Sequence, residues 1–98
     1  MLPEQINTVI IGGGASGLMC AATIGSDALL LEHNDQTGKK IKISGGGHCN
    51  FTNLEAGPDN FISQNKHFCK SALARFTPWD FVSMVSEADI AWEEKDNG

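Results

Sequence analysis

Apolar residues occur in short runs near the start of the chain and again in its last third. Residues 6–11 read INTVII, a β-branched apolar run that passes directly into glycine. Such a run predicts a strand buried on both faces, as in parallel sheets. Ala15 to Ile24 is small and apolar, which predicts a short buried helix that ends at Gly25. The ALLL of residues 28–31 predicts a second strand, and the order strand, helix, strand is a βαβ unit with a right-handed crossover.

The pattern changes after the second strand. Residues 33–65 are rich in Gly, Asn, Ser, Asp and Lys and lack periodicity. They predict a long loop, of the kind that is usually functional in a compact domain. Apolar residues then return at helical spacing, and Thr77 followed by Pro78 is a typical helix N-terminus. We therefore expect two helices within residues 66–88 and a short strand within residues 90–95.

Composition indicates one soluble globular unit. The 98 residues are 41% hydrophobic and 19% charged, enough for one modest core, so we expect no second domain within residues 1–98. The formal net charge of −5 argues against a nucleic-acid partner, because affinity for phosphates depends on clustered Lys and Arg. The basic residues cluster only at Lys39, Lys40 and Lys42.

The N-terminus and the cysteines bear on location. No basic residue precedes the first apolar run, and glycine interrupts that run, so neither a signal peptide nor a membrane partner is expected. Cys20, Cys49 and Cys69 are odd in number and widely spaced, which is typical of free thiols in a reducing cytoplasm. We therefore expect a cytoplasmic protein.

Residues 12–17, GGGASG, match the G-x-G-x-x-G fingerprint of dinucleotide-binding units. In that fingerprint Gly12 makes the tight turn, Gly14 lets the backbone approach a pyrophosphate, and Gly17 lets helix and strand pack closely. The phosphate would lie at the helix N-terminus, where free N–H groups and the helix dipole favour an anion.

Glu32 ends the second strand, twenty residues after Gly12. A carboxylate there can accept hydrogen bonds from the ribose hydroxyls of an adenosine, and its charge disfavours the 2′-phosphate of NADP. The alternative is a glycine-rich turn that merely joins strand to helix, with Glu32 as a solvated strand end. The spacing does not distinguish NAD from FAD.

A second glycine run lies in residues 42–53, KISGGGHCNFTN. Taken alone, this stretch fits a metal site, a thiol active site, a flexible linker, or a loop held against a large ligand. Glycines let a loop lie flat on a bulky ligand, and side chains such as Ser44 and Asn50 can fix it through hydrogen bonds to the backbone.

Together these pieces resemble the N-terminal part of the BaiN/YhiN-like family of bacterial NAD(P)/FAD-dependent oxidoreductases, which are flavoproteins. The resemblance rests on VIIGGGASGLMCA, on LLLE, on GKKIKISGGGHCNFTN, and on HFCKSALARFTPWDF with the later WEEKDNG. It implies an α/β fold: a Rossmann-like βαβ unit within about 6–32, as the N-terminal part of a glutathione-reductase-like FAD-binding domain. It also implies that residues of about 33–65 face the cofactor, which would be FAD.

The resemblance further implies two groups of cofactor-binding residues. The first group comprises the phosphate turn and the ribose acid: Gly12, Gly14, Ala15, Ser16, Gly17 and Glu32. The second group follows along the middle loop: Lys40, Ser44, Gly45, Gly46 and Asn50.

Two departures from the family pattern matter. His48 stands where the family usually has arginine, and a largely neutral imidazole lacks that permanent forked cation. Family members are also several times longer, so the chain is interpreted as an N-terminal fragment without the substrate-binding part.

Metal and thiol chemistry are weaker readings of the same residues. No pair of Cys or His has the spacing of a structural zinc site, so no metal is expected. Cys49 beside His48 is a candidate catalytic thiol, although a thiol packed near the cofactor fits better, since no second cysteine is close in sequence. Cys20 is expected in the core.

The sequence thus predicts the FAD-binding part of a flavin-dependent oxidoreductase, with NAD(P)H and a small organic substrate as further partners of the full-length enzyme. One alternative is an NAD-binding dehydrogenase domain. The other is a non-catalytic remnant that acts only as a binding module.

Overall fold

A computed structural model describes residues 2–98, which form two compact units, residues 2–49 and Asn50–Gly98. Within the described part, no helix is long and apolar enough to cross a membrane. The expectation that both units belong to one FAD-binding domain stays a prediction.

The first unit is built on a βαβ arrangement. Strand β1 spans Thr8–Ile11, helix α1 spans Ala15–Ile24, and strand β2 spans Ala28–Leu31. The two strands are parallel, with Thr8 opposite Ala28 and Ile11 opposite Leu31. The predicted α/β class and βαβ unit are therefore confirmed, with β1 two residues shorter at its start than expected.

Helix α1 ends where the sequence predicted. Gly25 has φ 84°, in the left-handed region that glycine adopts without strain, and its N–H donates to the carbonyl oxygen of Ala21 at 2.8 Å. The chain then turns within three residues into β2.

Burial on both faces of the strands, however, was a wrong expectation. Ile10 is buried at 8% exposure, while Val9 and Ile11 on the opposite face are 51% and 80% exposed. One crossover helix covers only one face of a two-stranded sheet, and the apolar run alone does not reveal which faces are covered.

Helix α1 is likewise not buried all round. Gly17 is its buried residue, Leu18 and Ala21 are half-buried, and Cys20 is exposed. The predicted core position of Cys20 is thus wrong, because a helix lying on one side of a sheet buries only one stripe, even when its sequence is apolar throughout.

The middle loop contains more structure than expected. Helix α2 spans Lys39–Ile43, a tight glycine turn follows at Ser44–Gly47, and a 3₁₀ turn spans Pro58–Asn60 in the second unit. These elements are short, which is why residues 33–65 show no helical or strand periodicity.

Two helices form the regular part of the second unit. Helix α3 spans Lys70–Arg75 and helix α4 spans Pro78–Glu87. Within this unit, the ring of Phe81 lies 5.6 Å from that of Phe51 and 6.2 Å from that of Phe76, centroid to centroid. Phe81 is thus an apolar anchor of this unit.

The strand expected within residues 90–95 is absent from the described structure of this segment. Trp92 instead donates its indole N–H to Ser86 Oγ at 3.0 Å, and Lys95 Nζ donates to Asn50 Oδ1 at 3.3 Å. A strand needs a neighbour to pair with, and here side-chain hydrogen bonds hold the segment to its own unit.

Helix α4 begins at the N-terminus that the sequence predicted, and it carries a reciprocal cap. Thr77 Oγ1 accepts from the Asp80 N–H at 3.2 Å, and Asp80 Oδ2 accepts from the Thr77 N–H at 2.7 Å. The backbone N–H of Thr77 is the main reason that the pKa of Asp80 lies below its ordinary value.

Replacing Thr77 with Ala is expected to lower the free energy of unfolding by about 0.5–2 kcal/mol, because the cap acceptor is lost. Denaturant titration followed by far-UV circular dichroism measures the change. Ser83→Ala, at an exposed position inside the same helix, is the matched control and should leave stability within about 0.5 kcal/mol of wild type. Equal stabilities of the two variants would contradict the capping role.

Candidate functional site

The turn between β1 and α1 has the backbone geometry that the glycine fingerprint requires. Gly12 has φ 99°, a conformation that side chains oppose, and its N–H donates to the Leu31 carbonyl at 2.7 Å. A Cβ atom placed on Gly17 would overlap the carbonyl oxygen of Gly12. The turn therefore closes against the helix only because residue 17 has no side chain.

Gly14 has a different environment. It is the N-cap of α1, and a Cβ built on it meets nothing within 4 Å. Among the described residues, the backbone N–H groups of Ala15, Ser16 and Gly17 have no hydrogen-bond acceptor. Three free donors at the positive end of a ten-residue helix, beside the open space at Gly14, fit an anionic group such as a pyrophosphate.

Glu32 lies beside this turn with both carboxylate oxygens engaged. Oε1 accepts from the Gly13 N–H at 2.9 Å, and Oε2 accepts from the Asn34 N–H at 2.8 Å. The side chain is only 14% exposed, while the neighbouring His33, whose Nδ1 is 3.2 Å from Oε2, is 89% exposed. A carboxylate has about four lone-pair sites, so acceptor capacity remains for ribose hydroxyls.

These contacts also set the charge of the site. Hydrogen bonds from the backbone N–H of Asn34, and next from that of Gly13, lower the pKa of Glu32 below its ordinary 4.5. Glu32 is therefore an anion at neutral and mildly acidic pH, which keeps it an acceptor for hydroxyl groups.

A depression of about 360 Å³ opens at the carboxyl ends of the two strands. Its lining residues are Ile11, Gly12, Leu31, Glu32 and His33. Ligands of open α/β sheets bind at this end of the strands, so the predicted phosphate turn and ribose acid lie at the same edge.

The backbone conformation explains why three consecutive glycines occur in the second glycine run. Gly45, Gly46 and Gly47 have φ values of 68°, 60° and 91°, three consecutive residues in the region that favours glycine. Ser44 Oγ donates to the Ile41 carbonyl at 2.8 Å and fixes the start of this turn. Lys40 lies exposed on α2.

Asn50 belongs to the second unit, where it accepts the hydrogen bond from Lys95 Nζ. That Lys40, Ser44, Gly45, Gly46 and Asn50 form one cofactor-facing surface therefore stays a prediction. His48 and Cys49 are both exposed, and a catalytic role of Cys49 also stays a prediction. Within residues 2–98, no group of three or more His, Cys, Asp and Glu side chains is arranged to hold a metal ion.

Sequence reasoning missed Gly13, Asn34 and Gly38. Gly13 donates to Glu32 and accepts from the Gly38 N–H at 2.7 Å, and Asn34 holds the other oxygen of Glu32. The fingerprint leaves position 13 free, so its only signal was an additional glycine in the run 12–14.

The fold and this site define a Rossmann-type dinucleotide-binding unit. The chain belongs to the family described as HI0933-like protein Rossmann domain, which matches residues 6–98. This is the BaiN/YhiN-like flavoprotein family that the motifs indicated.

Three curated relatives are similar to the chain. The ribosomal RNA dihydrouridine synthase of Escherichia coli K12 is 51% identical over 98 residues, covering 97% of this chain and 24% of that protein. The Haemophilus influenzae protein of the same name is 52% identical over 100 residues, with coverage of 99% and 25%. The 3-dehydro-bile acid delta(4,6)-reductase of Clostridium scindens is 38% identical over 72 residues, with coverage of 68% and 18%. The chain thus spans about a quarter or less of the length of these relatives.

Gly14→Ser is expected to separate ligand binding from stability. Serine is a favoured N-cap and its side chain meets open space, so the unfolding free energy should stay within about 0.5 kcal/mol of wild type. Affinity for ADP, the part that FAD and NAD share, should fall because the side chain takes the space of the phosphates. Calorimetry and denaturant unfolding provide the two measurements.

Gly17→Ser is the matched control, and it should lower the unfolding free energy by about 1–3 kcal/mol, because its side chain has no room. Unchanged ADP affinity in Gly14→Ser would contradict the phosphate site.

Glu32→Gln is expected to flatten the acid side of the pH–stability profile. Because the pKa of Glu32 is lowered on folding, its charge stabilises the chain above pH 4.5, and that contribution is lost as the pH falls through the folded pKa. Denaturant unfolding between neutral and strongly acidic pH gives the slope.

Asp80→Asn, whose carboxyl also has a lowered pKa, should remove a separate part of the same slope. Glu4→Gln, at an exposed position, should leave the profile unchanged. Superimposable profiles for Glu32→Gln and wild type would show that Glu32 is not linked to folding.

Proposed function

We propose that this chain forms the FAD-binding part of a flavin-dependent oxidoreductase. The observation that carries the proposal is the joint placement of three free N–H donors on α1 and the Glu32 carboxylate beside the same turn. The first set suits the pyrophosphate, and the second suits the ribose of the adenosine half.

The residues of the chain have separate tasks in this proposal. Ala15, Ser16 and Gly17 bind the pyrophosphate through their N–H groups, and Gly14 leaves room for it. Glu32 accepts from the ribose hydroxyls and, through its charge, disfavours a 2′-phosphate. The flavin, when bound, supplies the hydride chemistry, and the chain binds and orients it.

FAD is favoured over NAD by the second glycine run. A NAD-binding βαβ unit needs only the phosphate turn and the ribose acid, whereas this chain has a further glycine turn at 45–47 after α2. We propose that Lys40, Ser44, Gly45, Gly46 and Asn50 lie along the remainder of the larger cofactor.

The reaction proposed for the whole protein is reduction of uridine in ribosomal RNA to dihydrouridine, with NAD(P)H as the source of electrons. Support comes from the two dihydrouridine synthases, which match nearly the whole chain at 51% and 52% identity. Dihydrouridine differs from uridine by two hydrogens, so the step needs one hydride and one proton.

A second candidate is reduction of a small conjugated substrate, as the name of the bile-acid reductase indicates for that relative. Its similarity is weaker, 38% over 68% of the chain. Both reactions would use a flavin to deliver hydride to a carbon–carbon double bond, so the cofactor proposal does not depend on which substrate is correct.

Under this proposal, the expectation of no nucleic-acid partner applies only to these 98 residues and not to the whole protein. A net charge of −5 does not favour these 98 residues as the RNA-binding surface. We propose that the chain contacts the cofactor, and that the cationic surface for ribosomal RNA is formed by other parts of the protein.

A chimera tests cofactor and substrate together. This chain replaces the matching segment of the Escherichia coli relative, and the purified protein is expected to retain flavin absorption through gel filtration. Glu32→Ala should weaken FAD binding by about 10- to 100-fold, because ribose hydroxyls lose a charged acceptor. Glu4→Ala is the control and should retain flavin like the parent.

The outcomes separate the proposals. A colourless chimera that binds NAD would overturn the flavin assignment. A chimera that retains flavin but fails to restore dihydrouridine to ribosomal RNA, in cells lacking the Escherichia coli enzyme, would overturn the substrate assignment alone. Turnover of a steroid enone instead would favour the second candidate.

A further inference from the structure

Gly13 lies in the phosphate turn at a position that the fingerprint leaves unspecified, yet both its N–H and its carbonyl make hydrogen bonds. Its N–H donates to Glu32 Oε1 at 2.9 Å, and its carbonyl accepts from the Gly38 N–H at 2.7 Å. Gly13 is itself buried. Both hydrogen bonds tie the turn to the segment that follows β2.

The structure also leaves little room for a side chain at Gly13. A Cβ atom built there would lie 2.7 Å from Thr37 Cγ2, 3.1 Å from Thr37 Cβ and 3.1 Å from Leu30 Cδ2. Rotation about χ1 leaves Thr37 Cβ in place, and because Thr37 is β-branched, few of its rotamers turn both Cγ2 and Oγ1 away from position 13. An alanine at position 13 therefore requires Thr37 to shift outward, against the hydrogen bond that Gly38 makes.

Glu32 extends the same link. Its second oxygen accepts from the Asn34 N–H at 2.8 Å. Because Glu32 and Gly38 both bond to Gly13, residues 32–38 contact the turn at both their start and their end. The turn and this segment form a clasp, which we define as Gly13, Glu32, Asn34, Thr37 and Gly38. Displacing Gly13 would alter where Glu32 and the free N–H groups of α1 point relative to each other.

We propose that Gly13 is a positioning residue of the nucleotide site, and that Thr37 is what restricts this position to glycine. The clasp fixes the distance between the phosphate donors and the ribose acceptor, two halves of the site that touch different parts of one ligand. This inference rests on the proposed function for the ligand, while the clasp itself concerns contacts within the chain.

The test is a double-mutant cycle on the whole chain: Gly13→Ala, Thr37→Ser, and both together. Thr37→Ser removes only the methyl group that a Cβ at position 13 would meet most closely. Gly57→Ala is the matched control, since Gly57 has an extended φ of −151° and a Cβ there makes only ordinary contact. ADP serves as the probe, because it carries both the diphosphate and the ribose.

Gly13→Ala is expected to weaken ADP binding by about tenfold or more and to lose hydrogen-exchange protection of the Gly38 amide. The double variant should recover part of both, because the shortest contact is removed while the 3.1 Å contacts with Thr37 Cβ and Leu30 Cδ2 remain. Thr37→Ser and Gly57→Ala should resemble wild type. Recovery by removing one methyl group is a result that general destabilisation would not produce.

Wild-type affinity and amide protection in Gly13→Ala would overturn the proposal, as would a folded double variant that shows no recovery. If Gly13→Ala is too unstable to purify, the double variant must still fold, and failure of both counts against Thr37 as the restricting residue. A wild-type chain that does not bind ADP would count against the proposed function. The role of Gly13 in the clasp would then be tested by hydrogen exchange of the Gly38 amide and by the unfolding free energies of the variants.

Discussion

The Glu32 carboxylate is the contact on which the arrangement of the first unit depends. It accepts two backbone N–H groups, one from the phosphate turn at Gly13 and one from Asn34. A charged acceptor for two main-chain donors is stronger than a neutral one, and its partly buried position reduces competition from water. The carboxylate therefore organises the turn that precedes α1 and the loop that follows β2, besides being free to accept from a ligand.

This double use explains why an acid at the end of β2 fits the fold as well as the function. A neutral side chain of similar size could fill the space, but it would leave two N–H donors with weaker partners. Stability and the proposed recognition of the ribose thus favour the same residue. Sequence spacing alone predicts the acid as a ribose ligand and does not reveal its hydrogen bonds to Gly13 and Asn34.

The sequence predicted those features that depend on local chemistry. The Gly25 helix end and the Thr77–Asp80 cap each follow from a few adjacent residues, and the parallel βαβ unit follows from the order of three consecutive apolar segments. Features that depend on distant neighbours were predicted less well. Cys20 was expected in the core and is exposed, and residues 90–95 were expected to form a strand and do not, because periodicity does not show what lies opposite a residue.

The residues of the candidate site likewise divide into those that the sequence predicted and those that it did not. Gly12, Gly14, Gly17 and Glu32 could be predicted because the fingerprint records a backbone geometry that only certain residues adopt. Gly13, Thr37 and Gly38 could not, since Gly13 meets Thr37 and Gly38 only because the fold brings together segments that are more than twenty residues apart.

The turn at Gly45–Gly47 has a consequence for the chemistry of the chain itself. Gly45 and Gly46, at φ 68°, ψ 17° and φ 60°, ψ 33°, adopt nearly the mirror image of a right-handed helical turn. Glycine is the one encoded residue that is achiral, so it adopts this left-handed conformation without steric strain. A D-alanine introduced by chemical synthesis would fit this geometry better than any encoded substitute, and it would restrict the unfolded chain where glycine leaves it free.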